Sequence, residues 1–201
     1  MRPRYRLLLL ALPAALLCAC GPDPAPPAET QLGAALGGEP DAGYARAITP
    51  REFHFPADHG AHPEFRNEWW YLTGNLAAPD GRRFGYQFTL FRIALSPRMP
   101  PRESAWGSRQ VWMGHAAVTD ISRRRHWADE RFARGALGLA GAETTPLRIW
   151  LEDWQLGVRN DGQPWRVEFS SDEFSVELDL DPLKPPLLQG EQGLSQKSAS
   201  P

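Results

Sequence analysis

Glu68 opens the run Glu68-Trp69-Trp70-Tyr71 and is the carboxyl of this chain best placed to move a proton. A carboxyl forced into apolar surroundings has its pKa raised and stays protonated near neutrality, which suits a general acid. A glutamate in such a place more often pairs with a guanidinium, and Arg66, Arg83 and Arg92 are available. Tyr71 and His115 complete the candidate catalytic set, although His115, on a strand between small residues, reads as a satisfied core histidine before it reads as a base. Trp69, Trp70, Tyr86, Gln87, Phe91 and Trp112 are the candidate ligand-binding residues, since aromatic faces can lie against an extended apolar molecule. Neighbours on a strand point opposite ways, so at most one face of each strand can meet such a ligand.

His54, His59 and His62, with Asp58 and Glu64, offer nitrogen and oxygen donors that zinc accepts. Their spacing follows no established zinc signature, and histidines on an entry loop are preferred, so no metal is expected. No Gly-x-Ser-x-Gly elbow, persuasive Ser/His/Asp order or phosphate loop is present.

The N-terminus carries a different kind of information. Arg2, Arg4 and Arg6 precede an apolar stretch at 7–17 that is too short to span a bilayer. Leu17-Cys18-Ala19-Cys20 then looks like a lipoprotein processing site, which predicts removal of residues 1–19 and acylation of Cys20. Two or three acyl chains anchor a protein stably where one does not. The expected location is the bacterial cell envelope, facing the periplasm and on the outer membrane if the cell is Gram-negative; an ordinary secreted protein is the alternative. Losing three arginines lowers Lys plus Arg from 22 to 19 against 24 Asp plus Glu, a mature charge of −5. Nucleic acid is therefore not an expected partner. With Cys18 cut away and Cys20 lipidated, no disulfide is available, and the 8 Trp, 9 Phe and, once Tyr5 is removed, 3 Tyr must supply the core.

Residues 20–47 are Pro, Ala and Gly with scattered acids, which predicts a tether, and a β domain is expected over 48–181. Residues 68–76 alternate aromatic side chains on both faces, as in a strand covered on two sides. Ala78-Pro79-Asp80-Gly81 predicts a reversal into a second strand over 83–95, with Gln87 and Phe91 on its mixed face. Residues 96–108 read as a loop and 110–121 as a strand. Arg123 to His126 make a turn, and 127–140 are ambiguous between a short helix and an irregular strand. Strands are expected over 147–158, 165–169 and 174–180, and a loop or interrupted continuation over 182–201. The whole predicts an all-β, antiparallel barrel or curved sandwich, incomplete at its C-terminal side, with a hollow for one apolar small molecule.

His62-Pro63-Glu64-Phe65-Arg66-Asn67-Glu68-Trp69-Trp70-Tyr71-Leu72-Thr73-Gly74-Asn75-Leu76 resembles a motif of the AttH-like, lipocalin-like family that includes the carotenoid 1,2-hydratases (hydroxyneurosporene synthases). Phe84-Gly85-Tyr86-Gln87-Phe88-Thr89-Leu90-Phe91-Arg92 and His115-Ala116-Ala117-Val118-Thr119-Asp120 are similar to its next two motifs, and the likeness runs from about residue 53 to the end. The resemblance implies two tandem barrels, of which this chain supplies most of the first, so a second barrel or partner chain is expected. It carries Glu68, Trp69, Trp70, Tyr71, Gln87 and His115 over as motif members without saying which are chemical. It implies cofactor-free addition of water to an unactivated alkene, with the family's proton donor expected beyond Pro201. The first expectation is thus a carrier of a lipid or isoprenoid, the second a hydro-lyase and the third an accessory subunit of an exporter.

Overall fold

The computed structural model describes residues 43–97, 104–159 and 163–195. The expected signal sequence, Cys20, the expected tether up to residue 42 and part of the 96–108 loop lie outside the described residues. Among the described residues nine strands form two antiparallel sheets. The first is built from β1 (Asn67–Ala77), β2 (Arg83–Ala94), β3 (Gln110–Asp120) and β4 (Arg125–Arg134), in that order. The second is built from β5 (Ala140–Thr144), β6 (Leu147–Leu151), β7 (Trp154–Arg159), β8 (Gln163–Ser170) and β9 (Ser175–Leu180), also in sequence order.

The β1–β2 hairpin forms where its turn chemistry requires. Gly81 takes φ +86°, a region that costs a residue with a Cβ. Asp80 Oδ1 accepts from the Arg82 backbone N at 3.1 Å, and Gly81 N donates to the Ala78 carbonyl at 2.9 Å. This turn sets the pairing from Ala77 opposite Arg83 to Asn67 opposite Ile93.

The inner faces meet in an aromatic core. Phe88, Leu90, Trp112 and Ala116 of the first sheet pack with Leu147, Ile149, Leu151, Trp154, Leu156, Val167 and Phe169 of the second. Phe88 stacks on Phe169 at 5.0 Å between ring centroids and sits 6.1 Å from Trp154. Trp70 stacks on Trp112 at 5.8 Å. Gly114 lets Trp154 approach β3, since a Cβ there would lie 3.0 Å from the indole and 2.8 Å from Leu151.

Among the described residues no ladder joins the two sheets, so the barrel is not closed, and the two antiparallel sheets form the expected all-β sandwich or incomplete barrel. Between the sheets the expected hollow is occupied by the rings of Phe88, Trp154 and Phe169. Two local expectations also change. The strand expected over 147–158 is a hairpin, with Glu152 at φ +57° and Leu151 paired with Trp154 across the turn. Within 127–140 there is no helix; β4 runs to Arg134 and β5 begins at Ala140.

Candidate functional site

The sequence-predicted residues separate onto the two sides of the first sheet. Trp70, Tyr86 and Trp112 point inward and pack in or against the core. Glu68 is on the same side, in register with Arg92, which is fully buried. Arg92 Nε donates to Glu68 Oε2 at 3.0 Å, and its Nη2 donates to the carbonyls of His62 (2.8 Å) and Phe65 (3.0 Å). The His62 backbone N reaches both Glu68 oxygens at 3.0 Å, and His62 Nδ1 lies 2.6 Å from Oε1. The glutamate therefore takes part in the pairing with arginine that was set against the proton-donor reading.

His62 ties this pair to the arm before β1. Its Nε2 lies 2.8 Å from Asp58 Oδ1, which also accepts from Arg51 Nη2 at 2.7 Å. Two carboxylates on two ring nitrogens are both satisfied only when both nitrogens donate, which is the imidazolium form. Burial disfavours that charge and Arg51 opposes it, but the hydrogen bonds to Asp58 and Glu68 outweigh both and raise the His62 pKa. The Asp58 carboxyl is held well below the usual range, first by the His54 backbone N–H and then by His62 and Arg51 against the cost of burial. Of the five residues weighed as zinc donors, His62 sits in this ion network. His59 belongs to the 3-10 turn Ala57–His59, and His54 is exposed. No metal-competent cluster occurs among the described residues.

Trp69, Tyr71, Gln87, Phe91 and His115 point the other way, onto the outer face. Register places them in cross-strand rows, because residues directly opposite share a face. One row is Trp69, Phe91, Met113 and Phe132, and the next is Tyr71, Thr89, His115 and Glu130. Trp69 is 59 %, Tyr71 53 % and Phe132 45 % exposed, so these rings are not core. His115 Nε2 lies 2.7 Å from Glu130 Oε2, and the Phe91 ring meets the imidazole edge-on at 5.4 Å. Farther along, Thr119 Oγ1 and His126 Nδ1 are 2.9 Å apart. The arrangement is a strip of rings and a thioether beside a strip of proton-bearing groups.

Met113, Phe132, Thr89 and Glu130 were not singled out in the sequence. Met113 and Thr89 could have been found by extending the alternation of their strands. Phe132 and Glu130 could not, since their place depends on the register of a strand whose sequence was ambiguous.

The family model described as AttH-like matches residues 46–201, the part of the chain that carries both sheets and the outer-face rows. The chain belongs to the AttH-like family. A crystal structure of a Nitrosomonas europaea protein provisionally assigned to AttH is similar to this AttH-like chain at 34% identity with a TM-score of 0.63. The match covers 76% of this chain and 45% of that protein, so this AttH-like chain spans about half the length of its solved relative. No curated protein matches it.

Proposed function

We propose that this AttH-like chain is a lipid-anchored envelope protein whose β domain holds an extended apolar molecule, a lipid or isoprenoid, along the outer face of the first sheet. The observation that carries this reading is the row Trp69, Phe91, Met113 and Phe132, which runs across all four strands. Strands lie about 4.8 Å apart, so the row offers about 14 Å of apolar contact, the length of a substantial piece of alkyl or prenyl chain. Trp69 and Phe132 are exposed at the two ends of the row, with Phe91 half-buried and Met113 buried between them, and exposed apolar side chains grouped in this way mark interaction sites. A second barrel, from a longer form of the chain or a partner, would cover the face and turn it into an enclosed site. No cofactor is required for such holding.

Titration of the full chain with geranylgeraniol, read by tryptophan fluorescence, tests the reading. Saturable quenching is expected, with at least a tenfold weaker Kd in the Trp69→Ala/Phe132→Ala double variant and an unchanged Tm. No saturable quenching, or undiminished affinity in the double variant, removes the outer face as the site.

A second reading is supported by the Tyr71, Thr89, His115 and Glu130 row beside the rings. In hydration of an alkene a proton adds to one carbon, π faces stabilise the cation left on the other, and water's oxygen bonds to it while its surplus proton returns to a base. Trp69, Phe91 and Phe132 supply faces, and the His115–Glu130 pair supplies a proton-handling group. Incubation with an acyclic carotenoid, with and without a second barrel supplied, should give a product heavier by one water that His115→Gln diminishes. The absence of that product in both cases leaves the holding function.

A further inference from the structure

A second cleft opens away from the outer face. Trp165 stands on the inner side of β8, in register with Val158 of β7 and Leu180 of β9, and packs against the core. Its ring also meets the arm before β1. His59 meets its ring edge-on at 4.7 Å, Phe55 lies tilted against His59 at 4.5 Å, and Phe53 stacks on Phe55 at 6.2 Å. The segment after β9, from Pro182 through Lys184 to Pro186, forms the opposite wall, and the space between is about 710 Å³.

Three features make this a prepared site. The volume falls within the roughly 300–1,000 Å³ of small-molecule pockets, which are mostly apolar with a few polar groups, and here rings and prolines form most of the wall. The arm is held in place from several directions: Trp70 Nε1 donates to the His59 carbonyl at 2.9 Å, and Asp58 is tied to Arg51 and His62. Gly193, at φ +93°, brings the turn near the end of the described chain against Phe53, where a Cβ would sit 2.5 Å from the ring. Finally, Lys184 is a cation on the wall with no ion pair among the described residues. Burial pushes the His59 pKa down against the opposing charge of Asp58, which leaves the lysine as the cleft's positive group.

We propose that this cleft binds a medium-chain alkyl carboxylate, its chain against Phe55, His59 and Trp165 and its carboxylate on the Lys184 ammonium. The site is separate from the outer face and does not rest on the function proposed there. Binding of sodium dodecanoate below its micelle concentration, read by calorimetry and tryptophan fluorescence, tests it, with dodecanol as the neutral comparator. A saturable dodecanoate site is expected that persists in the Trp69→Ala variant, weakened at least fivefold by Lys184→Gln for dodecanoate but not for dodecanol, and weakened for both by Phe55→Ala. Trp165→Phe should remove most of the fluorescence change, while Trp69→Ala should leave dodecanoate affinity unchanged. An unchanged far-ultraviolet circular dichroism spectrum and a cooperative thermal transition check that each variant is folded. No saturable binding, indifference to both Lys184→Gln and Phe55→Ala, or loss through Trp69→Ala overturns the proposal. Failure on the outer face would instead appear as an absence of geranylgeraniol binding with dodecanoate binding intact.

Discussion

Glu68 is surrounded by donors: the Arg92 guanidinium, the His62 backbone N–H and the His62 ring. Glu68→Gln keeps the shape but leaves Arg92 buried opposite a neutral amide. Breaking such a pair from one side costs about 3 kcal/mol, measurable as a lowered urea midpoint. If hydration activity is found, the part of the variant that remains folded should retain it, because Glu68 lies on the opposite side of the sheet from the outer-face rows. His62 makes the same network sensitive to pH. Its folded pKa is raised above 6.5, so its contribution to stability is complete below that pH and is lost as pH rises through the folded value. Unfolding at about pH 6 and about pH 8.5 should therefore show lower stability at the higher pH, and His62→Gln should flatten that slope. Asp58 acts at the acid end, where its contribution, present above the ordinary carboxylate pKa of 3.8, is lost as pH falls through its depressed value.

At the scale of elements, strand alternation made most of both sheets legible. Phe84, Tyr86, Phe88 and Leu90 announce one face of β2 without help from any neighbour. The β6–β7 hairpin reads as one strand over 147–158, although the sequence carries a trace of its turn. The apolar positions are odd-numbered through Leu147, Ile149 and Leu151, then even-numbered through Trp154, Leu156 and Val158. That slip of phase is what a two-residue turn at Glu152 and Asp153 produces. β5 left little signal, because its small residues serve a neighbour's bulk: a Cβ on Gly141 would lie 2.6 Å from the Trp150 ring. Gly114 plays the same part between the sheets. Gly114→Ala should drive a methyl into Leu151 and Trp154, costing about 1–3 kcal/mol by thermal or urea unfolding. Gly81→Ala should cost about 1 kcal/mol by the same measurement, from backbone conformation alone, since no atom would lie within 4 Å of the new methyl.

For the molecule as a whole, the proposed anchor and the β domain are separable. Cys20→Ser in the full chain should move the protein from the detergent-extractable membrane fraction to the soluble fraction while leaving the domain's Tm unchanged. Retention on the membrane would remove lipid at Cys20 as the anchor. Composition, strand period and turn residues were enough to determine an all-β antiparallel domain, because each is written locally in side-chain size, alternation and the φ preferences of Pro and Gly; the likeness to the AttH-like family rested instead on particular motif residues such as those from Glu68 to Tyr71. Only the tertiary structure decided that the strands divide into two sheets with rings packed between them. It alone placed Glu68 and Arg92 on the inner side and Trp69, Tyr71 and His115 on the outer side, and left an open aromatic cleft between an irregular arm and a proline-rich segment. Those outcomes depend on how distant strands register and on the path of chain that has no period, and neither is encoded in the spacing of neighbouring residues.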